Sequence, residues 1–352
     1  MGQRIIIMAG GTGGHVFPAL AVAQYLAAKD WDVSWIGTKK GMESRVIPAH
    51  GIEIDWLSVQ GLRGKGLGAK VNNASLLLKA FWQAFKIIRK RKPDVVLGMG
   101  GYVAGPGGLM ASFMGIPLII HEQNRVPGTT NRLLVNKADK VLEAFPGSFL
   151  QNVNAIFTGN PLRTHFLDIP EKQVWTEESE RELRILVVGG SLGAKILNDV
   201  VPVAVAKLEN MEIKHQTGTA SIELVSKKYA ELQVNAQTVE FIEDIASAYQ
   251  WADLVICRAG AMTVSEIAAA ALPAIFIPLP HAIDDHQTAN AKYLVDAGAG
   301  LLLAQSELNE ASLIMAISKV KESLKQMSAA AKNKAKVDAT AMVANICIEV
   351  AA

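Results

Sequence analysis

Apolar residues run unbroken over Ile5-Ile6-Ile7-Met8-Ala9 and stop at Gly10-Gly11-Thr12-Gly13-Gly14-His15; an Ala-rich apolar stretch then extends from Pro18 to Ala28. This is the pattern of a buried strand, a tight turn and a helix. Pro18 suits a helix's first turn, where a missing N–H costs little. The pattern returns about half a chain later: Ile185-Leu186-Val187-Val188 runs into Gly189-Gly190-Ser191-Leu192-Gly193, then a helix to about residue 208.

Between these units the polarity pattern predicts strands at 31–36, 52–57, 95–97 and 118–120, and a short helix at 42–49 ended by Pro48 and Gly51. Residues 61–68 are polar, basic and glycine-rich, as in an exposed functional loop or an ordinary flexible connection. Residues 71–92 read as one long helix, with Leu76, Leu77, Leu78, Phe81, Trp82, Phe85 and Ile88 beside Lys79, Lys86, Arg89, Lys90, Arg91 and Lys92. Its apolar set is wider than a core stripe needs. An anionic membrane surface and a core helix with a solvated basic end both fit.

A second glycine loop spans Gly98 to Gly108, and the strand at 118–120 leads into His121-Glu122-Gln123-Asn124. Ligands of open α/β sheets bind at that carboxyl edge. Gly159-Asn160-Pro161 follows, then Arg163, and the charged run 171–184 reads as a linker. In the second half, strands are expected at 212–215, 238–241, 254–257, 274–277 and 301–303, alternating with helices, and helices close the chain at 310–323, to about 336, and at 338–350. The fold class is α/β: two doubly wound parallel-sheet domains, with a cleft between them as the expected ligand site.

Composition narrows this reading. The 352 residues suit two domains, and half of them are apolar, ample for two cores. A net charge of +2 gives no field on a nucleic-acid scale. Cys257 and Cys347 form neither a disulfide framework nor a zinc spacing, which favours a reducing compartment. The run 5–9 is too short for a secretory leader. Residues 95–120 carry no charge, but nine Gly and Pro residues interrupt them. Two buried strands around a loop and helix explain them better than a membrane span.

Five stretches carry candidate chemistry. The first turn, with its helix-start N–H groups, suits a diphosphate. It matches neither the dinucleotide fingerprint nor the P-loop. His15 there is a base, a donor to the ligand or a helix-start residue. The 98–108 loop and the 121–124 cluster are the second and third. The fourth is the second domain's Arg258-Ala259-Gly260-Ala261-Met262, feeding a helix expected to start at Thr263, where Thr263-x-x-Glu266 reads as a capping box or Glu266 as a ligand group. Beyond Pro280, His281, Asp284, Asp285 and His286 could hold a metal; hydrogen bonding to a polyhydroxyl ligand is preferred.

Taken together, Gly10 to His15, Gly98-Met99-Gly100-Gly101-Tyr102 through Gly108, His121 to Asn124, Gly159-Asn160-Pro161-Leu162-Arg163, Gly189-Gly190-Ser191 and Arg258 to Glu266 resemble the bacterial MurG family in order along nearly the whole chain. The resemblance implies a GT-B fold, with two Rossmann-like domains facing across a cleft. These would be 1–162, facing acceptor and membrane, with a final helix 338–352 packed back on it, and 163–337, binding UDP-GlcNAc. It implies inverting transfer of GlcNAc from UDP-GlcNAc to the C4 hydroxyl of MurNAc in lipid I, giving lipid II for peptidoglycan. Ser191 and Ala261, Met262, Thr263, Val264, Ser265 and Glu266 would hold the donor, with Glu266 on the ribose. Ile242 would meet the uracil through its main chain, and Gln287 the GlcNAc hydroxyls. Asn124, Arg163 and Thr12, Gly13 and Gly14 would complete the site. Gly100, Gly101, Tyr102 and Gly105 would face the acceptor.

On this resemblance neither cofactor nor metal is expected, and the partners are UDP-GlcNAc, lipid I, an anionic membrane surface and possible cell-wall synthesis proteins. The place is the cytoplasmic face of the bacterial inner membrane, peripherally bound. Inversion passes through oxocarbenium character and needs a base for the acceptor proton, for which His15 is the candidate. Three alternatives share the fold: a UDP-GlcNAc 2-epimerase, a non-catalytic UDP-sugar-binding partner, and a transferase to diacylglycerol-type acceptors.

Overall fold

A computed structural model describes residues 2–59, 67–166, 174–280 and 283–352, and of 67–74 and 283 the backbone alone. The chain divides into two compact units, residues 1–163 with 337–352, and residues 164–336.

The first unit runs β1 (Arg4–Met8), α1 (Gly13–Ala27), β2 (Asp32–Gly37), α2 (Glu43–Ala49), β3 (Glu53–Trp56), α3 (Leu67–Arg91), β4 (Val95–Gly98), α4 (Ala104–Phe113), β5 (Leu118–Glu122), α5 (Thr129–Leu134), β6 (Lys140–Glu143) and β7 (Ile156–Phe157). Its seven strands lie in the order β3-β2-β1-β4-β5-β6-β7, and every pairing is parallel. Helices cover both faces, so β1 is apolar on both. Ile5 and Ile7 pack with Val16, Leu20 and Trp35 on one side, while Ile6 and Met8 pack with Ala84, Ile88 and Leu118 on the other.

The second unit runs β8 (Leu183–Val188), α6 (Lys195–Val205), β9 (Met211–Gln216), α7 (Ile222–Glu231), β10 (Ala236–Val239), α8 (Ile245–Trp251), β11 (Leu254–Cys257), α9 (Ala261–Ala269), β12 (Ala274–Phe276), α10 (His286–Val295), β13 (Gly300–Leu302), α11 (Glu310–Lys321) and α12 (Leu324–Lys334). The strand order β10-β9-β8-β11-β12-β13 repeats that of the first six strands of unit one. The last helix, α13 (Ala339–Ala351), returns to the first unit, where Val343 and Cys347 join the α1 face of the core.

In both sheets the strand order reverses beside the first strand, between β1 and β4 and between β8 and β11. Crevices for ligands open at such switch points, at the carboxyl ends of the strands. The glycine turns at residues 10–14, 98–108, 189–193 and 258–260 each follow one of these four strands.

The structure departs from the sequence reading in several places. It adds α5, β6 and β7, of six, four and two residues. It carries β5 through His121 and Glu122, and sets β10 two residues earlier than expected. The long helix begins at Leu67, inside the expected loop, of which residues 61–66 lie outside the described residues. Part of the expected linker belongs to the second unit: Trp175 is buried in its core and donates from Nε1 to the Arg181 carbonyl at 2.9 Å. Among the described residues no helix is long and apolar enough to cross a membrane.

Candidate active site

In the first unit, the turn after β1 is shaped from beneath. Gly11 takes φ +95°, open to glycine. Trp35 Nε1 donates to the Ala9 carbonyl at 2.9 Å. Glu43, fully buried at the start of α2, accepts from the Gly11 N–H at 3.0 Å, the Thr38 N–H at 2.8 Å and the Thr38 hydroxyl at 2.7 Å. One N–H of the expected anion turn is therefore directed inward to a carboxylate. The N–H groups of Gly13 and Gly14, at the start of α1 beyond the N-cap Thr12, are among those a helix start leaves without an intrahelical partner.

His15 lies in the first turn of α1, half-buried. Its Nδ1 is 2.7 Å from Gln123 Oε1. Gln123 Nε2 in turn lies 3.0 Å from His121 Nδ1 and donates to the His121 carbonyl at 3.1 Å. His121 Nε2 is 2.9 Å from the Gly159 carbonyl. Burial lowers the His121 pKa to about 4. Gly100, at φ +92°, lies under the His15 ring, and a Cβ there would stand 2.8 Å from Nδ1. Gly101 meets the first turn directly, since its Cβ would lie 2.3 Å from the Gly10 carbonyl oxygen. The two glycine loops and the His121 cluster thus form one surface at the β1/β4 switch point.

Around it, Glu122 is buried and accepts from the N–H groups of Asn124 and Gly128 and from Asn131 Nδ2, each at 2.9 Å. That fixes Asn124 at the edge of β5. Arg163 places its guanidinium over the Phe17 ring, 5.3 Å from its centroid. Gly105 lies inside α4 beside Thr130, and Tyr102 is exposed at the rim of a cavity of about 820 Å³. Gly11, Lys39, Lys40, Trp56 and Lys86 also line this cavity.

In the second unit, Gly190 and Gly193 adopt φ +94° and +74°, and the Gly193 N–H closes a turn on the Gly190 carbonyl at 2.9 Å. This presents Ser191 to solvent. Across the switch point α9 begins at Ala261, not at Thr263. Gly260 is its N-cap and offers no side chain. Thr263-x-x-Glu266 is therefore not a capping box: Thr263 is already the third helical residue, and Glu266 is buried in the second turn. Without a capping side chain, the N–H groups of Met262 and Thr263 remain at a positive helix end.

Arg258 steadies this corner. It donates to the Ile277 and Pro278 carbonyls at 3.0 Å each and to Gln305 Oε1 at 2.7 Å, all neutral acceptors, and desolvation lowers its pKa. Gln287 Oε1 accepts from the N–H groups of Ala259 and Leu279 at 3.2 and 3.0 Å, which fixes the direction of its amide. The Ile242 N–H donates to Gln216 Oε1 at 2.9 Å, while Gln216 Nε2 donates to the Gly190 carbonyl at 2.8 Å. Asp284 and Asp285 take φ +55° and +49°, and Asp285 Oδ1 accepts from Thr288 at 2.7 Å. No group of three or more metal-ligating side chains forms among the described residues, and His281 lies outside them.

Glu43 and Gln216 were not singled out from the sequence, and Arg258 and Gln123 only as parts of motifs. The available signal was position: each lies within a few residues of a strand's carboxyl end.

Residues 5–143 match the N-terminal domain of glycosyltransferase family 28, and residues 184–344 its C-terminal domain. A UDP-N-acetylglucosamine–N-acetylmuramyl-(pentapeptide) pyrophosphoryl-undecaprenol N-acetylglucosamine transferase of Methylococcus capsulatus is 56% identical over 99% of both chains. Its counterpart in Dechloromonas aromatica is 48% identical over 100% of both. The crystal structure of Acinetobacter baumannii MurG superposes with a TM-score of 0.86 at 41% identity, covering 99% of each chain.

Proposed function

The chain belongs to the MurG family of glycosyltransferase family 28, and from that premise we propose that it moves N-acetylglucosamine from UDP-GlcNAc to the C4 hydroxyl of MurNAc in undecaprenyl-diphosphate-MurNAc-pentapeptide, with inversion. The observation that carries this reading is the likeness to the named transferases along the full length of both units. The two Rossmann-like domains are those of a GT-B glycosyltransferase.

Each unit supplies one part of the chemistry. On the second, the donor diphosphate would meet the Ser191 turn and the N–H groups that begin α9, where a helix end offsets the charge that develops on leaving UDP. Glu266 would accept from ribose hydroxyls and Gln287 would donate to the sugar. The N–H of Ile242 is held by Gln216, so the uracil would be read by the Ile242 carbonyl. On the first, the acceptor would lie by Gly13, Gly14, Gly100, Gly101, Gly105 and Tyr102, next to the lysine-lined cavity, with Asn124 and Arg163 beside it. His15 would remove the C4 hydroxyl proton as that oxygen attacks the anomeric carbon, and the C1–O bond to UDP breaks on the opposite face.

Because the acceptor is a lipid and the donor a soluble nucleotide sugar, the enzyme would work against the cytoplasmic face of the inner membrane. The candidate contact is the apolar exposed face of α3, with Leu78 72% and Trp82 56% exposed, joined by Phe113 of α4, 83% exposed.

Purified protein with UDP-GlcNAc and a lipid I analogue should release UDP only when the acceptor is present, and yield a disaccharide product. Saturable donor binding without release would instead fit a binding partner, and isomerised sugar without acceptor an epimerase.

A further inference from the structure

We infer that Gln123 and His121 are positioning residues that fix the neutral tautomer of His15, with the proton on Nδ1 and the lone pair on Nε2. This rests on the reading of His15 as the base and names what makes its reactive nitrogen available.

The assignment follows from the only hydrogen-bonding roles open to each atom. The Gly159 carbonyl can only accept, so His121 Nε2, 2.9 Å away, carries a proton. A neutral imidazole has one N–H, so His121 Nδ1 then accepts. Burial keeps His121 neutral near pH 7, with a pKa of about 4. The Gln123 atom 3.0 Å from that Nδ1 must be the amide nitrogen, and its second hydrogen goes to the His121 carbonyl at 3.1 Å. This settles which way the amide points and turns Oε1 to His15. Oε1 can only accept, so His15 Nδ1 at 2.7 Å holds the proton. Nε2 has no partner among the described residues and carries the lone pair.

The relay is braced at both ends. The Gly159 carbonyl also accepts from the Thr158 hydroxyl at 3.0 Å, and Asn160 Nδ2 donates to the Gln123 carbonyl at 3.1 Å. The Gly-Asn-Pro motif, which the sequence presented without a role, thus anchors the imidazole relay. Gly100 admits the ring to this geometry because no side chain fits beneath it. In water a neutral imidazole exchanges between tautomers; here the partner of one nitrogen selects the other as base. After proton transfer the Nδ1–H still donates to Oε1, so no group has to reorient during the step.

The test uses full-length enzyme labelled with 15N-histidine, read by long-range 15N–1H correlation at a pH where imidazoles are neutral, with the His15 signal assigned from His15→Gln. The wild type should show the Nδ1–H tautomer with Nε2 bare. Gln123→Met should scramble that signature and lower kcat by about ten- to a hundredfold, below the full contribution of a general base, while KM for UDP-GlcNAc stays within about twofold. Gln123→Glu, with its carboxyl protonated on the oxygen that faces His121, keeps a donor to His121 Nδ1 and an acceptor for His15 Nδ1, and should keep the tautomer. A wild-type His15 protonated on Nε2, or a Gln123→Met enzyme with tautomer and kcat intact, overturns the relay. Should Gln123→Met not fold, the wild-type spectrum alone decides. The base reading is judged separately: full turnover in His15→Ala removes it and leaves the tautomer assignment standing.

Discussion

A carboxylate that never meets solvent governs the first glycine turn. Glu43 collects three donors, from Gly11 and from the Thr38 backbone and hydroxyl. Its replacement by glutamine would point an N–H2 at one of these donors and leave it unpaired. Glu43→Gln is therefore expected to lower stability by about 1–3 kcal/mol, measured as a drop in the urea midpoint at unchanged slope. It should also loosen Gly11 and with it the approach to His15. The same device recurs at Glu122 and at Glu143, which accepts from the N–H groups of Gly147 and Ser148 at 3.0 and 2.9 Å. Loops at the carboxyl edge of the first sheet are held by buried carboxylates, which leaves fewer of their N–H groups for ligands than a count of glycines suggests.

Two helices show how one amphipathic stretch divides its duties. In α3, Ala80, Ala84 and Ile88 are buried against the sheet, whereas Leu78 and Trp82 face outward. The basic end is not uniformly available to lipid. Arg91 donates to Asp55 at 2.7 Å and is also paired with Glu53, which ties the helix end to β3. Lys86 stands over the Trp82 ring, 4.8 Å from its centroid, and keeps a positive charge beside the apolar face. Replacing both Leu78 and Trp82 by glutamate should weaken binding to anionic vesicles by tenfold or more, since burying each such side chain is worth about 1.5–3 kcal/mol, and leave the melting temperature nearly unchanged. Unchanged vesicle affinity in that double variant would remove α3 as the contact. Helix α13 is bound as firmly as any interior element: Thr340 donates to the Leu162 carbonyl at 3.0 Å, and Val343 and Cys347 are fully buried.

At the scale of the whole molecule, each unit buries one neutral histidine against its sheet among the described residues. Burial lowers His121 from 6.5 to about 4 and His215 from 6.5 to about 3, the latter beside the Tyr229 hydroxyl at 2.9 Å. Below pH 6.5 the unfolded chain takes up protons at these positions that the folded chain refuses. Their contribution is therefore complete above 6.5 and is lost as pH falls toward the folded values, at about 1.4 kcal/mol per pH unit for each histidine. Urea titrations from neutral pH to about pH 5 should show that decline, and His215→Phe should flatten it by its share. A stability independent of pH over that range would mean that neither histidine is held neutral.

The strand–glycine–helix units at residues 5–28 and 185–208 were legible because a run buried on both faces, a glycine turn and an Ala-rich helix each leave a local signature. Two parallel α/β units and their motif order followed from those signatures. What local pattern could not decide was pairing over long separations. The link from His15 to Gln123 spans 108 residues, that from Gly11 to Glu43 spans 32, and that from Thr340 to Leu162 spans 178. Such contacts depend on which strand lies beside which, and the order β2-β1-β4-β5 is a property of the assembled sheet. The start of α9 was misplaced for a related reason: a bare glycine N-cap carries no side-chain signal, while Thr263 and Glu266 imitate one. The sequence by itself determined the fold class, the family and the residues that gather at the strand edges. Only the tertiary structure decided which hydrogen bonds those residues make, and hence which nitrogen of His15 is bare.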